Sequence, residues 1–197
     1  MDTFISLLLG VSLSAACGFR VFVPLLVVSV AAIVGHLDLP ANVAWLGTDH
    51  ALIAFAVASS LEVAGYYIPW FDHLLDLVAT PLAIVAGTVV TAATAPDMSP
   101  LAQWTLAAIA GGGAAGLTKG LLNTLRLGST ATSGGLTNPI LSTVELIASL
   151  GLSALAIALP AVAGILVVVV LSFAVYKLWR FLFRGQSQPS AIDEATQ

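Results

Sequence analysis

The clearest indication of the fold is a long apolar stretch, ILSTVELIASLGLSALAIALPAVAGILVVVVLSFAVYKLWRFLF, at residues 140–183. Pro160 divides it into two segments, and each approaches the roughly 20 residues that a helix needs to cross the hydrocarbon core of a bilayer. The second segment ends in Lys177, Arg180 and Arg184, a basic flank that the positive-inside rule places in the cytoplasm. The sequence therefore predicts two transmembrane helices here and a cytoplasmic C-terminus.

Further apolar segments recur along the rest of the chain, at residues 4–34, 51–68, 81–95 and 101–127. Of the 197 residues, 59% are hydrophobic and only 8% are charged, whereas a soluble domain carries roughly 25% charged residues. We therefore expect an all-α integral membrane protein with about six transmembrane helices. Residues 1–184 should form a single transmembrane helical domain, and residues 185–197 a disordered cytoplasmic tail.

Two segments depart from simple spans. Residues 4–34 are too long for one untilted crossing and are interrupted by Gly18, Arg20 and Pro24, which predicts a broken or re-entrant first helix. The stretch at residues 69–80 predicts a short helix that lies along the membrane–water interface and does not cross the bilayer. Its acids and histidine suit a solvated helix face better than a cation site; they are Asp72, His73 and Asp76.

Two of the predicted helices contain short, similar sequences that indicate an internal repeat. SSLEV at residues 59–63 and STVEL at residues 142–146 both place two hydroxyls before a glutamate. A duplicated unit with broken helices is typical of the inverted repeats of many transporters. The match is short and its residue types are common in this chain, so an inverted repeat and a chance similarity both remain open.

The glutamates of this repeat, Glu62 and Glu145, are the principal candidate site residues. A carboxylate facing lipid would cost roughly 2 to 3 kcal/mol, so each must face the bundle interior, pair with a base or be protonated. One interpretation makes them ligands of an ion or proton. The other makes them structural partners of the basic residues Arg20, Lys119 and Arg126. We favour the first, because ionisable groups inside a membrane commonly mark a functional site.

A polar but uncharged stretch, GSTATSGGLTNP at residues 128–139, follows Arg126. Irregular backbone of this composition could present amides and hydroxyls to a ligand inside a cavity. An ordinary turn between two helices is the alternative. The candidate residues in this loop are Ser129, Thr130, Thr132, Ser133 and Asn138.

Several classes of function lack support in the sequence. Cys17 is the only cysteine and no Cys/His cluster has metal-ligand spacing, so we expect neither a metal site nor a cofactor. The chain has no basic stripe for nucleic acid and no GxSxG or HExxH motif. An intramembrane enzyme acting on lipid is a third option.

Four stretches together resemble a known bacterial membrane family. They are GFRVFVPLL from Gly18, LEVAGYYIPWFDHLLDLVATPLAIVAGT from Leu61, AGGGAAG from Ala110 and LRLGSTATSGGLTNPILSTVEL from Leu125. The chain is similar to the family termed domain of unknown function 4126 over nearly all its length except the C-terminal tail. The resemblance implies a multi-pass inner-membrane protein, and it implies no activity and no site residues.

Two functions follow from these features. The first is a small transporter or channel-like protein that moves a small ion or solute through a buried polar site containing Glu62, Glu145 and Arg20. The second is a non-transporting scaffold, assembly factor or lipid-binding protein, in which the charges lock the helices together. The glycine-rich helix faces suit packing within one chain or in a homo-oligomer.

Overall fold

The computed structural model describes residues 3–68, 71–95, 98–133 and 137–184, and within these ranges the fold is all-helical. The helices are α1 (Thr3–Phe19), α2 (Phe22–Ile33), α3 (Asp49–Gly65), α4 (Phe71–Thr94), α5 (Pro100–Leu106), α6 (Gly113–Ser133), α7 (Asn138–Ala158) and α8 (Pro160–Arg184). A π-helical segment, Ala107–Gly112, joins α5 to α6 into one continuous helix. The predicted all-α class is confirmed, and the predicted tail at 185–197 lies outside the described residues.

Three helical stretches in the described part of the chain are long and apolar enough to cross a membrane. They are Leu74–Thr94, Asn138–Ala158 and Pro160–Arg180. Their surfaces remain largely exposed, with only 17% of the residues in the apolar window of the last stretch buried inside the bundle. Helices that are apolar on their exposed faces indicate a membrane protein, in which lipid covers those faces.

The first apolar segment is broken at Arg20, as predicted, and the break reverses the chain. Helix α2 returns toward the start of α1, because the segment after it, residues 36–40, lines one cavity together with Ser6 and Leu9 of α1. Helices α1 and α2 therefore form a hairpin whose tip is Arg20 and Val21. We call the end of the bundle at this tip the Arg20 end, and the opposite end, at residues 36–40, the His36 end.

The remaining helices alternate between these two ends. Asn42 in the loop before α3 donates to Gln103 of α5 over 2.8 Å, which places the start of α5 at the His36 end. Gly164 of α8 lies against Leu8 of α1, and Val167 packs with Ala15 further along both helices, so these two helices run in the same direction. Thr3 and Arg184 consequently lie at opposite ends of the bundle. The number of membrane crossings, about six by the sequence, stays a prediction.

Helix α4 continues through Pro81, where the sequence predicted an interfacial helix to end and a new segment to begin. Proline removes one backbone donor from a helix interior, but membrane helices tolerate it where hydroxyl side chains satisfy nearby carbonyls. Thr80 donates a hydrogen bond to the carbonyl of Asp76 over 3.0 Å, one residue before the Leu77 carbonyl that Pro81 leaves without its amide partner. Asp76 therefore belongs to a long bundle helix and not to a solvated interfacial one.

The predicted polar loop is mostly helical as well. Residues 129–133 form the last turns of α6 and Asn138 begins α7, so only residues 134–137 separate the two helices. Hydroxyl residues stay helical by bonding back to the chain, as Thr124 does to the carbonyl of Gly120 over 2.9 Å. The side chains of Thr132 and Ser133 lie outside the described part of the structure.

Helices α1 and α4 and the π-helical segment meet in a tight seam of small residues. Thr91 donates to the carbonyl of Gly10 over 3.1 Å, and Ser14 donates to the carbonyl of Gly111. A Cβ atom at Gly111 would lie only 2.5 Å from the carbonyl oxygen of Gly87. The three backbones can approach this closely only because glycines face one another.

Candidate functional site: a buried ionic cluster

The Arg20 end of the bundle contains six charged side chains, all but one of them buried. They are Arg20, Glu62, Asp76, Lys119, Arg126 and Glu145, to which α3, α4, α6 and α7 and the tip of the α1–α2 hairpin contribute. Asp76 is the most accessible, with 21% of its side chain exposed. Three cations face three carboxylates, so the formal charge of the group is balanced. We call this group the ionic cluster.

Arg126 and Glu145 form the central ion pair of the cluster. The guanidinium Nε donates to Oε1 of Glu145 over 2.9 Å, and Nη2 donates to Oε2. Nη2 also contacts the hydroxyl of Ser142 at 3.2 Å. This two-point geometry is the strongest arrangement for an arginine and a carboxylate, and it ties α6 to α7.

Asp76 and Lys119 form a second pair, which includes Tyr66. Lys119 Nζ lies 2.8 Å from Oδ1 of Asp76 and 3.1 Å from the hydroxyl of Tyr66. The Tyr66 hydroxyl itself donates to the same Asp76 oxygen over 2.9 Å. Arg126 Nη1 approaches the other oxygen, Oδ2, at 3.5 Å. Asp76 thereby connects the two ion pairs.

The aromatic ring of Tyr66 is surrounded by all three cations. The ring centre lies 4.0 Å from Cζ of Arg20, 4.6 Å from Cζ of Arg126 and 5.4 Å from Nζ of Lys119. A cation within about 6 Å of a ring centre is attracted by the negative face of the ring, and more strongly when both are removed from water. Tyr66 therefore partly offsets the repulsion among the three positive charges.

Arg20 is only 1% exposed, at the tip of the hairpin. Its Nη2 donates to the carbonyl of Ser142 over 2.8 Å and lies 3.9 Å from Oε2 of Glu145. Its Nε and Nη1 have no hydrogen-bond partner among the residues that the structure describes. Buried guanidinium donors without a partner are costly, so this part of the site retains capacity for an acceptor.

The side chain of Glu62, a residue of α3, binds the first backbone amides of α2. Its two carboxylate oxygens accept hydrogen bonds from the backbone amides of Val21, at 2.8 Å, and Phe22, at 3.0 Å. The first amides of a helix lack intrahelical partners and carry the positive end of the helix dipole, which favours an anion there. Glu62 thus fastens α3 to the broken end of the first helix.

An open cavity of about 500 Å³ reaches the ionic cluster from one side. Asp76 and Arg126 line it together with apolar and uncharged polar residues; these are Leu77, Thr80, Pro81, Asn123, Leu127, Thr130 and Asn138. Asn123 donates to the hydroxyl of Thr80 over 3.1 Å, and its own Oδ1 is buried without a partner in the described structure. A solute in this cavity would meet both a carboxylate and a guanidinium of the cluster.

A second polar cavity, of about 700 Å³, lies at the opposite, His36 end. Its wall includes Ser6 of α1, His36 and Asp38 of the loop, and Thr94 of α4. The tight seam of α1, α4 and the π-helical segment lies between the levels of the two cavities. The bundle thus has polar recesses at both ends and a closed middle.

The five charged residues singled out in the sequence do come together at one end of the bundle. Glu145, Arg126 and Arg20 are in direct contact, whereas Glu62 binds backbone amides. The sequence analysis missed Tyr66 and assigned Asp76 to a solvated helix face. The sequence analysis had placed three cations and only two carboxylates in the site. Because buried charges are normally balanced, this imbalance indicated that another carboxylate belonged to it. Within the described ranges, no group of three or more His, Cys, Asp or Glu side chains could hold a metal ion.

These features define an all-helical membrane protein with a charge-balanced ionic cluster inside its bundle. The chain belongs to the family described as "Domain of unknown function (DUF4126)", which matches residues 7–180. This confirms the family that the sequence motifs indicated. No curated protein and no solved structure matches the chain.

Proposed function

We propose that this protein is a small transporter or channel-like protein of the bacterial inner membrane, and that a small ion or solute meets the ionic cluster on its way across. The observation that supports this most directly is the open cavity that Asp76 and Arg126 both line. A cluster that exchanges a solute must be reachable from outside the bundle. Here one face of it is open to a polar recess.

The two recesses at opposite ends suit a mechanism in which access alternates across the central seam. Broken helices and irregular ends lining a cavity are typical of sites in secondary transporters. The α1–α2 hairpin supplies such a broken end, and Glu62 binds its amides. Movement at the hairpin tip would change the surroundings of Arg20 and Glu62 together.

The proposed topology differs slightly from six plain crossings. Helix α2 has 12 residues, or about 18 Å, which is too short for a hydrocarbon core of roughly 30 Å. The α1–α2 hairpin is then re-entrant, and α3, α4, the α5–α6 helix, α7 and α8 cross. The basic end of α8 lies in the cytoplasm, so the N-terminus lies on the other side. Residues 1–184 remain one domain in this proposal, and the C-terminal tail is cytoplasmic.

The inverted repeat and a homo-oligomeric state also remain proposals. Helices α3 and α7, which carry the two matching glutamates, run in opposite directions, as corresponding helices of inverted repeats do. The exposed apolar faces of α7 and α8 leave room for a second copy as well as for lipid.

The experiment is ion and proton flux into proteoliposomes that contain the purified full-length protein, followed with pH-sensitive and ion-sensitive dyes. The test variant is Asp76→Asn, which removes the accessible charge of the cluster, and the control is Asp49→Asn at the exposed start of α3. Flux that is lost in Asp76→Asn and retained in Asp49→Asn supports the proposal. Absence of flux in the folded wild-type protein, across cations, anions and protons, contradicts it.

A non-transporting scaffold is the second candidate, and the close pairing of Arg126 with Glu145 favours it. Ions that satisfy one another so completely can hold a bundle together without binding a solute. This alternative predicts that variants of the cluster lower the melting temperature, most where a buried charge is left unpaired, while wild-type liposomes stay impermeable. Co-purification of a membrane partner with the wild type would then identify its role.

A further inference from the structure

An apolar groove lies between α7 and α8, away from the ionic cluster and independent of the proposed transport. It has a volume of about 270 Å³, and helix α1 forms its floor. Its lining includes Phe19 of α1, Gly151 and Leu155 of α7, and Val167 and Val170 of α8. A Cβ atom added to Gly151 would meet nothing within 4 Å, so the groove is unfilled at this point.

The α8 wall of the groove leads directly to two basic side chains. Lys177 follows Val170 by seven residues, which is two helical turns on the same face or about 10 Å along the axis. Arg180 follows after three more residues and is a neighbour of Lys177 on the helix surface. Both lie in the last turns of the apolar stretch Pro160–Arg180, at the depth where the hydrocarbon core ends and lipid headgroups begin.

We propose that this groove and these two cations form a binding site for an anionic phospholipid. One acyl chain lies in the groove against Gly151, and the phosphate group lies between Lys177 and Arg180. Lys177 Nζ is 5.3 Å from the ring centre of Phe173, so its ammonium group stays close to the helix surface at the headgroup level. The charge of these side chains selects an anionic headgroup, and the apolar walls select a lipid over a water-soluble anion.

The test is native mass spectrometry of the full-length protein, purified in mild detergent and incubated with equal amounts of phosphatidylglycerol and phosphatidylcholine with identical chains. Wild-type protein should retain phosphatidylglycerol preferentially. Each neutralised charge, in Lys177→Gln and in Arg180→Gln, should weaken that preference about fivefold. Gly151→Leu should reduce retention of both lipids because it fills the groove.

Gly113→Leu is the matched control, because Gly113 also has open space around its Cβ position but lies outside the groove. It should bind lipid as the wild type does. If Gly151→Leu does not fold, the surface variants Lys177→Gln and Arg180→Gln carry the test alone. Equal retention of the two lipids by the wild type overturns the proposal, as does an unchanged preference after both charges are neutralised. A dimer that forms through α7 and α8 and excludes lipid overturns it too.

Discussion

The guanidinium carbon of Arg20 lies 4.0 Å from the centre of the Tyr66 ring. This contact joins the tip of the α1–α2 hairpin to the residue that follows α3. Because Arg126 and Lys119 approach the same ring, one aromatic side chain touches every cation of the cluster. Tyr66 is therefore the centre of the ionic cluster, although it carries no charge of its own.

Replacing Tyr66 should separate the contribution of its ring from that of its hydroxyl. Tyr66→Phe keeps the ring but removes the hydrogen bonds to Asp76 and Lys119, and should cost about 1 to 2 kcal/mol of stability. Tyr66→Ala also removes the ring and should cost about 3 to 5 kcal/mol. Thermal unfolding in detergent, followed by circular dichroism, measures both. Equal losses for the two variants would show that the ring contributes nothing.

The pair of Arg126 and Glu145 should behave as one unit. Glu145→Gln leaves a buried guanidinium without its carboxylate and should cost about 3 to 5 kcal/mol, whereas Arg126→Gln combined with Glu145→Gln should cost less than the single change. A double-mutant cycle on unfolding free energies gives the coupling. Additive losses would mean that the two side chains do not depend on each other.

Glu62 should control the start of α2. Glu62→Leu removes the acceptor for the amides of Val21 and Phe22, so hydrogen exchange at these two amides should become faster by one to two orders of magnitude, as expected for bonds of about 1.5 to 3 kcal/mol. Glu62→Gln retains an acceptor oxygen and should give a smaller increase. Unchanged exchange in both variants would show that the carboxylate does not hold the hairpin tip.

Two glycines of the same GGG sequence should respond to alanine in opposite ways. At Gly111 the new Cβ would lie 2.5 Å from the carbonyl oxygen of Gly87, so Gly111→Ala should destabilise the bundle by about 1 to 3 kcal/mol. At Gly113 the added carbon meets nothing within 4 Å, and alanine should stabilise the helix by up to about 1 kcal/mol. The order of the two melting temperatures tests the seam directly.

Much of the site was predictable because charges in apolar helices are conspicuous. Glu62, Glu145 and Arg20 each interrupt long runs of apolar residues, and a lipid-facing position for any of them would be costly. Their need for interior partners follows from the sequence alone. Which partner each would find depends on helix directions, and the hairpin reversal at Arg20 was not specified by composition.

The sequence analysis assigned Asp76 to an interfacial helix and residues 128–139 to a loop, and both assignments differ from the structure for the same physical reason. Pro81 and the Gly/Ser/Thr stretch before Asn138 normally end helices in water, where freed backbone groups are hydrated. Inside a membrane bundle no water is available, so backbone amides and carbonyls are satisfied by remaining helical. Helices α4 and α6 therefore extend through proline, glycine, serine and threonine residues. Local propensity therefore gave helix ends that the membrane environment overrides.

The position of Arg20 at the hairpin tip also constrains how the protein is made. Ser142, whose carbonyl binds the Arg20 side chain, follows 122 residues later in the chain, so a ribosome adding about 5 to 20 residues per second supplies it about 6 to 24 s afterwards. During that interval the arginine has entered or approached the bilayer before much of its final environment exists. We therefore expect the first hairpin to reach its final packing only after the C-terminal half of the chain has been inserted.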